Sequence, residues 1–453
     1  MKRILDIVRP SPTEEKELQY VSQEILEKTL EKASEVDERI RVRLVGSSSR
    51  GTWLRSEKDL DIFLFFPAGY AKKEMEKIIT NIAGSILEKA EKRYAEHPYI
   101  RGTYAGYDVE LVPCYAVESA SKILSAVDRT PFHEEFVGKH ITGKEDEVRL
   151  LKQFLKGIGC YGAEAKVEGV SGYLSELLVI KFGSFEDVLK AVQSWQPGEV
   201  LQISTRQGAE KLREKFPSPL IFIDPVDSNR NVASALSEEK FGRLVYAAKE
   251  YLKAPRKEFF VPRERKIRIG DIKNRFRERG TDLVALFFLK PDIVEDIFHP
   301  QMKKALGALE RLLRRSDFRV VGASFFVRER ACLLLELEDL EIPPVKLHLG
   351  PGVNSEHEKR FLEKHEANKA RLTEPFILGG RWGVFLRRGY VHALKFLEGF
   401  LGQPDLEERG IPSYVASALQ SGVEVRINEE AFTEEFLPDL LEYFDPRFPW
   451  EIR

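Results

Sequence analysis

An apolar run that should lie buried in a sheet, Leu60 to Phe66, opens with two aspartates one residue apart, Asp59 and Asp61. Aspartate is disfavoured in strands, and this strand would bury better without either. In a strand, positions i and i+2 share a face, so Asp59 and Asp61 stand side by side, roughly 7 Å apart along the backbone, while Leu60 and Ile62 point into a core. Two carboxylates held this close repel one another unless positive charge sits between them. A hard divalent cation with oxygen ligands supplies it, and Mg²⁺ typically takes one or two carboxylates together with substrate phosphates. Taken alone, the spacing also suits a solvated strand end.

The neighbourhood sharpens this reading. Gly46-Ser47 precedes the strand; glycine lets backbone approach a ligand closely, and Ser47 can offer a hydroxyl and N–H to phosphate oxygens, with Arg50 adding charge. In "YDVELVPCY", from Tyr107, Asp108 and Glu110 share a face opposite Val109 and Leu111. If that strand lies beside the first, Glu110 completes a three-carboxylate site. Three acids around two Mg²⁺ ions, ~3.5–4 Å apart, form the clamp used for in-line phosphoryl chemistry.

The chain's 453 residues suit about three domains. No apolar run nears the ~20 residues of a membrane span, and the N-terminus has no signal-peptide shape, so a cytoplasmic protein is expected. Cys114, Cys160 and Cys332 show no CxxC spacing, against a disulfide framework or structural zinc. The net charge of −2 does not suggest a nucleic-acid binder, but the charge is uneven. From Lys249 to Arg279 there are twelve Lys/Arg and five Asp/Glu, a local net of +7, and Lys303, Lys304, Arg311, Arg314, Arg315 and Arg319 form a second cluster. Such patches are either phosphate-binding footprints or ordinary solvated faces.

Along the chain, Ser11-Pro12-Thr13-Glu14 starts a helix running to about Ala33. A strand at 40–45, the turn, the Asp59 strand, a helix at about 72–93 and the strand from Tyr107 to Pro113 make one α/β unit with a mixed sheet. From Lys144 helices dominate: "EDEVRLLKQFLKGIG" puts Val148, Leu151 and Leu155 on one face with Lys152 off it, and "SGYLSELLVIKFGSFEDVLKAVQSW" reads as two helices joined at Gly183. A short strand at 220–224 turns into a helix with Asn231 as cap. Beyond Pro255, a strand at 282–289, a helix at 301–315 and a hairpin at 318–338 give a β-α-β-β order that suits a ferredoxin-like, RNA-binding sheet. A loop after Pro343-Pro344 and a charged helix at about 356–369 follow. The expected fold is α+β and multidomain, with units at 1–142, 143–254 and 255–453.

The pattern G-S, spacer, D-x-D and a third acid on a later strand resembles the nucleotidyltransferase superfamily. "VGSSSRGTWLR", "YAEHPYIRG", "VELVPCY", "SAVDRTPFHEEFV", "EDEVRLLKQFLKGIGCYGAE", "SGYLSELL", "DPVDSNRNVASALS" and "GGRWGVF" resemble, in order from Val45 to about Phe385, the archaeal class I CCA-adding tRNA nucleotidyltransferases. The resemblance implies a catalytic head, a helical neck, and an RNA-binding body and tail. Asp59, Asp61 and Glu110 would hold Mg²⁺, with Glu110 where the family usually has aspartate, one methylene longer. Gly46, Ser47 and Arg50, with His133, Lys152 and Tyr161, would meet the nucleotide triphosphate or ribose. His97 and Thr130 match residues near the same pocket, and Arg230 would face the base or RNA phosphate. The implied substrates are tRNA, CTP and ATP, and the implied assembly is a homodimer. Two rivals stand beside this: a poly(A)- or oligoadenylate-type nucleotidyltransferase, and a catalytically inactive nucleotidyltransferase fold that only binds RNA, for which Glu110 is the one argument.

Overall fold

The computed structural model describes the chain except for residues 56, 95–97, 205–206 and 453. His97 therefore lies outside the described residues. The chain divides into two compact units, Met1–Arg265 with Arg447–Arg453, and Lys266–Pro446.

The first unit begins with helices α1 (Lys2–Val8) and α2 (Pro12–Ser34). The expected start of α2 is a full capping box: Glu14 N–H donates to Ser11 Oγ at 3.2 Å, and Ser11 N–H to Glu14 Oε2 at 2.7 Å. Then come β1 (Arg41–Val45), the single turn α3 (Ser47–Arg50), β2 (Asp59–Phe66), α4 (Lys72–Ile86), β3 (Glu88–Tyr94), β4 (Pro98–Tyr104) and β5 (Tyr107–Tyr115). The sheet is five-stranded and mixed, in the order β1-β2-β5-β4-β3, with β2 and β5 parallel and the other pairs antiparallel. Leu60, Ile62, Leu64 and Phe66 are fully buried against α2 and α4, as period-two alternation requires. On the opposite face Val45, Phe63, Phe65, Val112 and Cys114 form a second cluster beyond the aspartates.

Two expectations fail here. The helix expected to reach residue 93 stops at Ile86, and "EKAEKRY" is β3; β5 also runs two residues past Pro113, to Tyr115. Segment 88–94 is charged and helix-prone, but its pairing with β4 decides. As the edge of the sheet, β3 carries the charges that discourage further pairing.

The helices that follow are α5 (Thr130–Ile141), α6 (Glu145–Gly157), α7 (Gly172–Phe182), α8 (Phe185–Val192), α9 (Ala209–Lys215) and α10 (Glu238–Lys253), with the small parallel pair β6 (Glu199–Leu201) and β7 (Leu220–Phe222). All but α9 share one large core that includes Phe154, Leu177, Phe185, Phe241 and Trp450, while Leu212 of α9 packs in a small cluster with Ile221 and Ile223. Asn231 does not cap a helix. Its Oδ1 accepts from Phe222 N–H and Ala233 N–H, its Nδ2 donates to Leu220 O, and the helix cap is Ser237. Lys152, expected off the apolar face of α6, is 1% exposed, because α6 is covered on more than one side.

Gly157 marks the tightest packing of this core. A Cβ there would lie 2.1 Å from Phe259 O and 2.8 Å from the carbonyl carbons of Phe259 and Phe260, all backbone atoms that cannot swing aside. We expect Gly157→Ala to lower stability by about 1–3 kcal/mol, the usual range for overpacking. A denaturant midpoint equal to that of the wild type would contradict this.

The second unit holds α11 (Ile269–Arg279), β8 (Asp282–Leu289), α12 (Glu295–Arg315), β9 (Val320–Val327), β10 (Arg330–Leu337), β11 (Val345–Gly352), α13 (Glu358–Glu366), β12 (Phe376–Leu378), β13 (Arg381–Arg387), α14 (Ala393–Leu401), α15 (Ser413–Ser421), β14 (Glu424–Ile427) and α16 (Leu437–Phe444). Its main sheet runs β14-β8-β10-β9, all antiparallel. The β-α-β-β order read from the sequence is thus completed by a fourth strand, β14, into the ferredoxin-like arrangement. A three-stranded sheet, β11-β13-β12, is inserted after β10. The segment expected as a loop after Pro344 is its strand β11, and α12 begins six residues earlier than expected and continues through Pro300.

The basic stretches are partly neutralised within the chain. Lys273 and Arg277 share Glu429 at 3.0 and 2.6 Å, Arg275 pairs with Asp445 at 3.0 Å, and Arg279 with Glu336 at 2.7 Å. In the second cluster Arg314 pairs with Glu310 and Arg319 with Glu338, at 2.8 and 3.0 Å. Counting charges along the sequence overstated what these surfaces offer to a phosphate. Among the described residues, no helix is long and apolar enough to cross a membrane.

Candidate active site

Strand register builds the site. Asp61 of β2 is paired with Glu110 of β5 on one side and with Val45 of β1 on the other, and Asp59 is paired with Asp108. Neighbouring strands are about 4.8 Å apart, so Asp61 and Glu110 are immediate cross-strand neighbours on one face, with Asp59 two residues along. Asp108 is half-exposed and paired with Arg101 at 3.2 Å, as a surface acid would be.

The electrostatics reflect this crowding. Burial, then the charge of Asp59, pushes the Asp61 carboxyl up to about 6. Burial, then Asp61, pushes Glu110 up to about 7. As they stand, no three His, Cys, Asp or Glu side chains among the described residues are gathered as a ready metal-ligand set. The donors are nonetheless of the right kind: hard carboxylate oxygens on one face, whose mutual repulsion a divalent cation would relieve.

At the end of β1 the chain turns over Asp61. Gly46 has φ +86° and ψ −161°, a region essentially restricted to glycine, and a Cβ on it would lie 2.2 Å from Asp61 Oδ2. The turn continues into α3, which carries Ser47 and Arg50, and three helices grip α3 and the segment 51–53 after it. From α5, Glu134 accepts from Gly46 N–H at 3.1 Å, from Ser49 Oγ and from Arg50 Nη1. From α7, the fully buried Glu176 takes a two-pronged contact from Arg50, Nε to Oε1 at 3.0 Å and Nη2 to Oε2 at 2.9 Å, and also accepts from Thr52 Oγ1 at 2.6 Å. From α6, Lys152 Nζ donates to Thr52 O at 3.0 Å, while Arg149 donates to Gly51 O and Trp53 O at 2.6 and 3.1 Å. Burial holds the Lys152 ammonium below its ordinary range. Tyr161 is half-buried near Lys152, with Gly172 close to both: a Cβ there would lie 3.2 Å from Tyr161 Oη and 3.8 Å from Lys152 Cε.

A second group gathers on Asp224, which is fully buried. Asp224 Oδ2 meets His133 Nε2 at 2.9 Å and Arg230 Nη1 at 2.8 Å; Oδ1 accepts from Tyr173 Oη at 3.2 Å and Val226 N–H at 3.0 Å. The His133 and Tyr173 rings stack with centroids 4.2 Å apart. Although burial alone would raise it, these contacts, His133 foremost, hold the Asp224 carboxyl down at about 2. Thr130 is the first residue of α5, the helix that also carries His133 and Glu134. Adjacent residues of one helix thus reach the two groups. Sequence reading passed over Glu134, Glu176 and Asp224. "RTPFHEEFV", "SGYLSELL" and "DPVDSNRN" contain them, but nothing in the spacing distinguishes them from surface acids.

Comparison with known proteins adds the lineage. Residues 23–133 match the nucleotidyltransferase domain, 146–261 the second domain of tRNA nucleotidyltransferase, and 279–428 the C-terminal domain of the CCA-adding enzyme. The CCA-adding enzyme of Methanosarcina acetivorans is 38% identical over 93% of this chain and 92% of its own length. That of Haloarcula marismortui is 36% identical over 97% of both chains. This chain belongs to the CCA-adding enzyme family. The solved structure of the Cid1 poly(U) polymerase covers 56% of this chain and 93% of its own at 12% identity, with a TM-score of 0.46. Enzymes of the superfamily to which the family belongs generally depend on divalent metal ions. Glu110 lies directly beside Asp61 in the β2–β5 register.

Proposed function

We propose that this protein adds C, C and A to the 3′ end of tRNA, using CTP and ATP without a nucleic-acid template and releasing pyrophosphate. The observation that carries the reading is one sheet face bearing Asp59, Asp61 and Glu110, with the Gly46 turn laid against Asp61, in a chain of the CCA-adding family. Asp59, Asp61 and Glu110 would hold Mg²⁺, which when bound lowers the pKa of the attacking 3′-hydroxyl and neutralises charge on the departing pyrophosphate. In the chain itself, Gly46 keeps the backbone close, and Ser47 and Arg50 present the turn to the triphosphate. Lys152, buried and already partnered by Thr52 O, places one positive charge behind that turn. Tyr161, Thr130 and His133 line the nucleotide's side of the head and neck, and Arg230, anchored by Asp224, faces the base or RNA phosphate. The second unit, with its ferredoxin-like sheet and basic stretches, grips double-stranded RNA by shape and phosphate. Along the sequence we place the catalytic head at 1–142, the helical neck at 143–254 and the RNA-binding body and tail at 255–453, with Phe259, Phe260 and Trp450 of that last stretch packed into the core of the first compact unit. We place the protein in the cytoplasm as a homodimer. Its solution mass should be twice that of the chain.

The deciding experiment is incorporation of labelled CTP and ATP, with Mg²⁺, into tRNA lacking its 3′ CCA, resolved to single nucleotides. Three additions in the order C, C, A, and then a stop, are expected. Adenylate tails without C would favour the poly(A)-type rival. Intact tRNA binding without incorporation would favour the binding-only reading and point to Glu110.

A further inference from the structure

We propose that Glu134 is a positioning residue for nucleotide binding, holding the turn at residues 46–50 in register with Asp61. The inference rests on the functional reading above and goes beyond it, because Glu134 is not among the groups assigned to metal or nucleotide. Three donors of a single five-residue turn end on its carboxylate: Gly46 N–H at 3.1 Å and Arg50 Nη1 on Oε2, and Ser49 Oγ on Oε1. Arg50 is thereby braced between two helices, since its other edge makes the fork to Glu176. Gly46, the first residue of the turn, is in contact with Asp61, so a displaced turn displaces the carboxylate next to it.

The charge is matched by Arg50 on one side, but toward the site it is unfavourable. It sits near Asp61, and on the proposed reading it would repel an anionic triphosphate held at the turn. Geometry is what it contributes. The two functions separate chemically. In Glu134→Gln the amide oxygen can still accept from Gly46 N–H and Arg50. Its NH₂ can donate to Ser49 Oγ, whose own proton then goes to Gly46 O, 3.0 Å away. The glutamine keeps the geometry and discards the charge, whereas alanine discards both.

The test uses the full-length protein and measures kcat and KM for CTP, ATP and tRNA lacking CCA, with CTP binding followed separately by calorimetry. With Glu134→Ala we expect the KM of both nucleotides to rise at least about tenfold, as misplacement by a fraction of an ångström warrants, while the tRNA KM stays within about threefold. Glu134→Gln should return the nucleotide KM to within about threefold of wild type. Glu135→Ala, which removes only the Lys139 partner on the same helix, should leave all three constants unchanged. An unchanged nucleotide KM in Glu134→Ala overturns the proposal. So does a lowered one, which would make Glu134 a competitor for the phosphate site, and so does a glutamine variant as impaired as the alanine. If Glu134→Ala does not fold, Ser49→Ala cuts one of the three ties and should raise the nucleotide KM by a few-fold; no rise would overturn the proposal equally. Calorimetric CTP binding stands apart from turnover, so a wild type that binds CTP but adds no CCA sinks the functional reading and leaves this inference to the binding data.

Discussion

Asp61→Asn is expected to abolish nucleotide addition while making the metal-free protein more stable above neutral pH. On the catalytic side, a metal clamp supplies several kcal/mol of charge stabilisation to the transition state, and each ~1.4 kcal/mol is tenfold in rate. On the proposed assignment of Asp61 as a metal ligand, its loss should therefore reduce kcat by about a thousandfold or more, with tRNA binding unaffected. On the stability side, burial and the neighbouring acids raise the folded-state pKa of Asp61 from 3.8 to about 6 and of Glu110 from 4.5 to about 7. A carboxyl whose pKa is raised on folding contributes stability that is fully present below its unfolded value, here below about pH 4. That contribution is lost as pH rises through 6 and 7, where the folded protein must ionise crowded groups. Without metal, the wild type should accordingly melt lower at pH 8 than at pH 5.5. Mg²⁺ should raise its melting temperature more at pH 8, because the ion binds the ionised carboxylates and stabilises by mass action. Asp61→Asn should melt above the wild type at pH 8 in chelator, and the gap should narrow at pH 5.5 and close only at about pH 4, near the unfolded value of the carboxyl. Calorimetry at both pH values, with and without Mg²⁺, decides the matter. A wild type whose metal-free stability is flat across this range, or an active Asp61→Asn, would falsify the assignment of these carboxylates as a crowded metal site.

Gly46→Ala should be nearly as damaging to activity, for a reason of sterics. Its backbone lies at φ +86°, ψ −161°, where a residue with a Cβ is strained by about 1–3 kcal/mol. The added methyl would also overlap Asp61 Oδ2, at 2.2 Å. Either Asp61 leaves its rotamer or the turn lifts off β2. Misplacement of reacting groups by an ångström can cost about a hundredfold, and we expect a loss of that order in kcat/KM, with a modest fall in stability. Kinetics on Gly46→Ala beside Gly51→Ala, another positive-φ glycine but one with a Cβ contact no closer than 4.0 Å, to the side chain of Glu145, separates backbone strain from contact with Asp61. Equal losses in the two variants would leave the contact with no role.

Several features of this protein were legible in the chain alone, and they are the local ones. The alternation of Asp59, Leu60, Asp61 and Ile62 needs only the two-residue repeat of a strand to place acids and core on opposite faces, and the folded sheet buries Leu60 and Ile62 completely. The capping box at Ser11 and the Gly183 break between α7 and α8 are likewise written within a few residues. The β8-α12-β9-β10 order follows from consecutive elements, though its closing strand β14, about ninety residues beyond β10, carries too little pattern in four residues to be seen.

What the tertiary structure alone decided is whatever depends on partners distant in sequence. Segment 88–94 has the composition of a helix and is a strand because β4 offers it an edge. Lys152 reads as a solvated helix residue and is buried, because the loop at 51–53 passes over it and supplies a carbonyl for its ammonium. Glu134 and Glu176 read as surface acids, yet the first sits 84 residues and the second 126 residues from Arg50, the cation they share. Asp224, 91 residues from His133, is the same case. The meaning of a buried charge lies in its partner, and no local repeat encodes a partner that far away. The sequence therefore determined which acids stand together on the sheet face; only the packing of the helices against the turn over Asp61 determined which residues hold that face in place.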